Sequence, residues 1–174
     1  MKLFAISGSL RERSFNTALL RAVQGLLPGG IAVGLYEGMA ELRHFNPDLD
    51  VDPAPAAVAD LRARIAEADG VLICSPEYAH GVPGSLKNAL DWIVSSGEFT
   101  DKPVQLINAS PSFMGASLAQ ANLAEILRVM GAKLPDTALF AVPGVSRKIG
   151  ADGALEAETA QALKAALAAF VASI

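Results

Sequence analysis

The stretch Ala5–Ala22, AISGSLRERSFNTALLRA, begins as an apolar run, ends as a helical repeat, and between Ser7 and Phe15 consists mostly of Gly, Ser, Arg and Glu. An apolar strand that stops at a glycine and passes through a polar loop into a helix is the opening βα unit of an α/β sheet. The first N–H groups of that helix have no acceptor within it, and its dipole favours an anion. Ser9, Arg11, Ser14, Asn16 and Thr17 cluster around this start, and a phosphate would satisfy both features. The competing reading makes Ser14 or Asn16 a plain helix cap and Arg11 a solvated surface charge.

The rest of the chain repeats the alternation. Apolar runs predict strands at Lys2–Ser7, Ala32–Tyr36, Gly70–Ser75, Pro103–Ala109 and Thr137–Val142. Runs such as VLIC and VQLIN are apolar at nearly consecutive positions, which suits strands covered on both faces. Between them NTALLRAVQGLL, PAAVADLRARIAEA, PGSLKNALDWIVSS and SLAQANLAEILRVMG read as helices, and LEAETAQALKAALAAFVA closes the chain. Five strands and five helices in alternation predict a single α/β domain over residues 1–174. Its sheet is parallel and doubly wound, with five strands and helices on both faces. FNPDLDVDPAPAA, Phe45–Ala57, is a Pro/Asp-rich loop within that domain.

Composition narrows the partners. The 174 residues are 52% hydrophobic, and 14 Lys and Arg against 18 Asp and Glu give a net charge of -4. No basic run points to nucleic acid or to a membrane surface, so a small molecule is the expected ligand. Cys74 is the only cysteine, which excludes a disulfide framework, and with two distant histidines leaves no metal-ligand spacing. As the last residue of VLIC, Cys74 reads as core packing. MKLFAISGSL carries one Lys and a short apolar run, so neither a secretory signal nor a membrane span is expected and a cytoplasmic location follows.

The dinucleotide fingerprint G-x-G-x-x-G and the P-loop pattern are both missing from the first loop, where GSLRER offers side chains in place of glycine-exposed backbone. Hydroxyls and a guanidinium suit one terminal phosphomonoester. CSPEYAHGVPGSLKNALDW, Cys74–Trp92, repeats the arrangement after the third predicted strand. Its Pro and Gly residues fix or free a backbone able to present N–H groups and an aromatic edge to a planar ligand. The plainer alternative is a turn shaped by Pro and Gly with Tyr78 at the core edge.

Together SGSLRERSFNTALLRA and SPEYAHGVPGSLKNALDW resemble the two signature segments of the NADPH-dependent FMN reductase family, flavodoxin-like enzymes that include quinone, azo and chromate reductases. The resemblance implies a flavodoxin-like fold and an FMN-dependent NAD(P)H oxidoreductase that reduces flavin, quinones or similar small oxidants. Hydride would pass through flavin N5 in ping-pong order, with NADPH or NADH as cosubstrate. It implies that Ser9, Arg11, Ser14, Asn16 and Thr17 hold the FMN phosphate, and that Pro76, Glu77, Tyr78, Ala79, His80 and Gly81 border the ring. Ser110 and Gly115, in the third loop NASPSFMGAS, would meet the pyrimidine side. There Pro111, Phe113 and Met114 stand where relatives carry more Ser and Gly.

The resemblance further implies a homodimer or homotetramer, with Lys87 and Asp91 as interface candidates. No general acid or base is required, because the flavin carries the chemistry; His80 is the one weak candidate. Arg13 is a candidate for the 2′-phosphate that distinguishes NADPH from NADH. The alternative is a flavodoxin-like electron carrier without a nicotinamide site, although such carriers are usually more acidic than a charge of -4. A flavin-free member with another phosphorylated ligand is a third reading.

Overall fold

Leu3 through Ile6, all of Gly70–Cys74 and Val104 through Ala109 are buried, as the largely apolar runs require of strands with helices on both sides. The computed structural model describes residues 1–150 and 152–174. Its order is β1 (Lys2–Ser7), α1 (Phe15–Leu26), β2 (Ala32–Leu35), α2 (Ala56–Glu67), β3 (Gly70–Cys74), α3 (Gly84–Asp91), β4 (Val104–Ser110), α4 (Ser117–Val129), β5 (Leu139–Pro143) and α5 (Ala157–Ala172). All four strand pairings are parallel, in the spatial order β2-β1-β3-β4-β5.

Two apolar layers flank the sheet. Leu61 and Ile65 of α2, Leu86 and Leu90 of α3, and Leu123 and Leu127 of α4 pack on one face with Phe4, Ile6, Ile73 and Leu106. Leu19 and Val23 of α1 and Leu163, Leu167 and Phe170 of α5 pack on the other, with Ala5, Leu72 and Ile107. Alternate residues of each central strand therefore feed opposite cores, which makes the winding double. The strand order reverses between β1 and β3, and a crevice opens beyond their carboxyl ends.

The elements expected from the sequence are present, with most ends shifted by one or two residues and one helix shortened further. β5 starts at Leu139 rather than Thr137. The third helix ends at Asp91 instead of running on to Ser96. Arg62 accounts for the early stop: its Nε and Nη2 donate to the Trp92 carbonyl at 3.1 and 2.5 Å while Nη2 also pairs with Asp50 at 2.8 Å. Trp92 is fully buried, and its indole N–H donates to the Arg43 carbonyl at 2.9 Å. Capturing that carbonyl ends the helix and ties the Pro/Asp-rich loop to it.

At the crevice β1 and β3 approach so closely that only glycine fits at position 8. The Gly8 N–H donates to the Cys74 carbonyl at 2.8 Å, and a Cβ at Gly8 would lie 2.5 Å from Ser75 Oγ and 2.9 Å from Ser75 Cβ. Gly8→Ala is expected to cost about 1–3 kcal/mol by overpacking, read as a lower urea midpoint. A second change, Ser75→Gly, removes the obstructing atoms and recovers part of the loss; no recovery would show that the strain lies elsewhere.

Candidate functional site

Three loops meet at the carboxyl edge of the sheet. Ser9, Arg11, Ser14, Phe15 and Asn16 from the loop after β1, Pro76, Glu77 and Tyr78 from the loop after β3, and Ala109, Ser110 and Pro111 at the end of β4 line one cleft of about 170 Å³. That is smaller than the roughly 300–1,000 Å³ of pockets enclosing whole drug-sized ligands, so this cleft grips one part of a ligand and leaves the remainder open on one side.

The first loop combines a cap with free donors. Ser14 is the N-cap of α1, its Oγ accepting from the Thr17 N–H at 3.3 Å. Ser9 Oγ accepts from the Arg11 N–H at 3.3 Å, and the Ser7 and Thr17 hydroxyls share a hydrogen bond of 2.7 Å. The N–H groups of Phe15 and Asn16 have no acceptor among the described residues. These two donors, the dipole of a twelve-residue helix and the exposed Arg11 guanidinium form a receptor for an anion.

Asn16 departs from its expected use. Its carboxamide is buried: Nδ2 donates to the Ala109 carbonyl at 3.1 Å and Oδ1 accepts from the Ala109 N–H at 3.0 Å. The Cys74 thiol also donates to Oδ1, at 3.2 Å. Asn16 therefore offers the crevice its backbone N–H, while its side chain ties α1 to β4. Cys74 is fully buried, which pushes its thiol pKa up and suits the packing role.

In the second loop Tyr78 and Gly81 pair reciprocally, N–H to carbonyl at 3.2 and 3.0 Å, and between them Ala79 and His80 are left-handed at φ of 50° and 61°. This is the two-residue hairpin that Asn and Gly normally occupy. Holding Ala and His there costs energy, and such strain gathers at binding sites. Among the described residues the N–H groups of Glu77, Ala79 and His80 find no acceptor, and they lie beside the 57% exposed Tyr78 ring.

Glu77 has a role that its place in the motif did not disclose. Its Oε2 accepts from the Ala119 N–H at 2.9 Å, in the first turn of α4, and Oε1 lies 3.2 Å from His80 Nδ1. The N-cap position of α4 is held by Ala116, which has no side chain able to cap it. The Ala119 N–H above all, then His80, holds the Glu77 carboxyl below the usual carboxylate range. One carboxylate thus ties the second loop to the third and fills the anion-seeking end of α4. An alanine at the start of α4 was the available sequence signal.

The third loop is braced by its own serines, Ser110 Oγ accepting from the Ser112 N–H at 3.2 Å and Ser112 Oγ from the Met114 N–H at 3.1 Å. Gly115 is left-handed at φ 70°, and a Cβ there would face Asn108 Oδ1 at 3.8 Å. Asn108 is buried, and Gln120 fixes its orientation. Gln120 Nε2 donates to the Leu106 and Phe140 carbonyls, so Oε1 accepts from Asn108 Nδ2 at 2.8 Å. Asn108 Oδ1 is left as a buried acceptor with no partner. Phe113 and Met114 project outward, 76% and 83% exposed.

Of the residues expected in the site, Ser9, Arg11, Ser14, Asn16, Pro76, Glu77, Tyr78 and Ser110 line one cleft. Thr17, Gly81 and Gly115 do not line it, and Ala79 and His80 form the exposed hairpin tip. The donors present, a helix N-terminus with an arginine and a row of loop N–H groups beside an aromatic ring, fit a phosphorylated ligand with a flat, carbonyl-bearing end.

Known proteins resemble the chain in sequence and in fold. The profile of the NADPH-dependent FMN reductase family matches residues 1–146. The NADH:(hydroxy)cinnamate reductase subunit CrdA of Vibrio ruber is 41% identical over 128 residues, 73% of this chain and 62% of that one. A quinone reductase of Escherichia coli K12 is 30% identical over 152 residues, 86% of this chain and 81% of the relative. Among solved structures, FerB, a flavoenzyme NAD(P)H:(acceptor) oxidoreductase from Paracoccus denitrificans, superposes with a TM-score of 0.86 at 33% identity, covering 98% of this chain and 94% of its own.

The Glu77 bridge is open to test. Glu77→Ala is expected to lower stability by about 1 kcal/mol as α4 loses its capping carboxylate. A carboxyl depressed by folding stabilises at pH above its unfolded value, about 4.3, and ceases to as pH falls through its lower folded value. Urea midpoints of parent and variant should therefore differ at neutral pH and converge under acid; a constant gap would rule out the charge as the cause.

Proposed function

The chain belongs to the NADPH-dependent FMN reductase family, and from that premise we propose how its crevice serves NAD(P)H-dependent reduction of flavin, quinones and similar small oxidants. The observation that carries the assignment is the pair of unpartnered N–H groups at Phe15 and Asn16 beside Arg11, in the same cleft as the loop after β3. Arg11, these two N–H groups and the Ser9 hydroxyl hold the FMN phosphate. The N–H groups of Glu77, Ala79 and His80 meet the polar edge of the ring, with Tyr78 beside it. Ser110 and the Gly115 turn stand at the pyrimidine side, where the orphaned Asn108 Oδ1 supplies an acceptor beneath the turn.

Bound FMN supplies hydride acceptance and onward electron transfer, for which no ionisable side chain is needed. The chain contributes orientation and fixed N–H dipoles where negative charge develops. Nicotinamide and oxidant use the open side of the cleft in turn, a ping-pong order. His80 has an 80% exposed side chain held by Glu77, so it steadies the hairpin rather than moving a proton. A cytoplasmic location accompanies the use of NAD(P)H; none of the described helices is long and apolar enough to cross a membrane.

A cleft that grips only part of its ligand suits completion by a second subunit. Val94 and Val129 are 63% and 81% exposed and line one groove with the Lys87–Asp91 ion pair of 2.5 Å, supplying an apolar surface between α3 and α4 for an isologous dimer or a dimer of dimers. Sedimentation of the FMN-loaded protein at micromolar concentration should give at least twice 18.0 kDa; a monomer would overturn the shared site.

Arg11→Ala removes a charge-assisted contact of about 1.5–3 kcal/mol and should weaken FMN roughly ten- to a hundredfold. Riboflavin, which lacks the phosphate, should bind parent and variant alike. Calorimetric titration with both ligands decides the matter, since equal losses, or no loss for FMN, would remove the phosphate from this loop. Rapid bleaching of the yellow protein by NADPH distinguishes the reductase from an electron carrier.

A further inference from the structure

A second and larger groove, of about 960 Å³, runs along the outer side of α1. It shares Arg11, Ser14 and Phe15 with the crevice, so the two are continuous around the start of the helix. Phe15, Ala18 and Ala22 recur at i, i+3 and i+7 and, with the nearly buried Ile149, make an apolar floor. The two alanines leave the floor flat and low over about 10 Å of helix. Gly150 and Gly153 form the facing wall, where a turn is closed by the Gly153 N–H donating to the Gly150 carbonyl at 3.0 Å.

Three guanidiniums rise from the sides. Arg11, Arg13 and Arg21 all line the groove, all are exposed, and among the described residues none of them forms an ion pair. Glu12 and Asp152 stand on the same walls, and Asp152 Oδ1 accepts from the Ala154 N–H at 3.0 Å. The groove is therefore net cationic in a chain whose acidic residues outnumber its basic ones, 18 to 14. An apolar floor, unpaired guanidiniums and glycine backbone suit a nucleobase carrying phosphate: the base lies on the floor and the guanidiniums take the phosphate oxygens.

We propose that this groove receives the 2′-phosphorylated adenosine end of NADPH, with Arg13 and Arg21 on the 2′-phosphate, and that it makes the protein prefer NADPH to NADH. The inference rests on the assignment of FMN and nicotinamide to the adjoining crevice. A dinucleotide with its nicotinamide there must lay its other half along a continuous surface, and the groove begins at the shared Arg11–Phe15 wall. Arg11 stays with the FMN phosphate, so Arg13 and Arg21 are the two guanidiniums open to the cosubstrate.

The test is calorimetric titration of the FMN-loaded protein with adenosine 2′,5′-bisphosphate and with 5′-AMP, for the parent, Arg13→Ala, Arg21→Ala and Arg21→Lys. The parent should bind the bisphosphate more tightly than 5′-AMP, and each alanine variant should lose about tenfold for the bisphosphate with a much smaller change for 5′-AMP. Arg21→Lys should recover part of the loss, and raising the salt should weaken the parent's bisphosphate binding. In steady-state kinetics the ratio of kcat/KM for NADPH over NADH should fall by a similar factor. FMN affinity separates the two assignments: Arg13→Ala and Arg21→Ala retain it, whereas failure of the phosphate loop would appear in the Arg11→Ala titrations. A parent that binds the two nucleotides equally, alanine variants that match the parent, or an unchanged kcat/KM ratio would each overturn the proposal.

Discussion

The buried carboxamide of Asn16 joins three parts of the molecule that the chain brings together from far apart: the first turn of α1, the Ala109 backbone near the end of β4 and the Cys74 thiol at the end of β3. Both polar atoms of the carboxamide are satisfied, and so are the N–H and C=O of Ala109. Removing the side chain would orphan two buried backbone groups, each costing about 1–3 kcal/mol. The placement of α1 at the crevice depends on this tie. It fixes where α1 begins relative to β4, and therefore where the free N–H groups of Phe15 and Asn16 stand relative to the loops after β3 and β4.

Helix polarity then distributes charge around the crevice. Each strand hands over at the same edge of the sheet, so α1 and α4 both present electropositive N-termini there. Glu77 supplies the anion that α4 needs through the Ala119 N–H. The start of α1 is left with a neutral cap, Ser14, and with arginines on either side of it. An anion thus finds one open pole at this edge, the start of α1.

The parts of this arrangement that were legible in the sequence are those set by local physics. Strands such as GVLIC show through periodicity, because burial on both faces demands apolar residues in succession. The polar start of α1 shows through composition, because unpartnered N–H groups attract hydroxyls and guanidiniums. Illegible parts depend on contacts across the fold. Asn16 at the start of a helix is an ordinary cap or ligand residue in sequence, and only the proximity of Ala109, 93 residues away, turns its carboxamide inward. Glu77 sits in a loop motif, while its hydrogen-bond partner lies 42 residues further on. The early end of α3 is caused by Arg62, which no pattern within PGSLKNALDWIVSS could reveal.

The same contrast explains where the crevice is rigid and where it is free to vary. The loop after β1 is held by Ser7, Thr17 and Asn16, and the loop after β3 by its own hairpin pairing and by Glu77. The loop after β4 is fixed at its base by Ser110 and Ser112, and the Ser112 carbonyl accepts from the Gly144 N–H at 3.2 Å. Its tip carries Phe113 and Met114 into solvent, with the Arg147 guanidinium 5.6 Å from the centre of the Phe113 ring. Two rigid loops suit a ligand whose shape never changes, since any looseness there would cost binding energy at every encounter. A third loop with a fixed base and an exposed apolar tip offers contact area in place of directed hydrogen bonds, which suits ligands of varied shape.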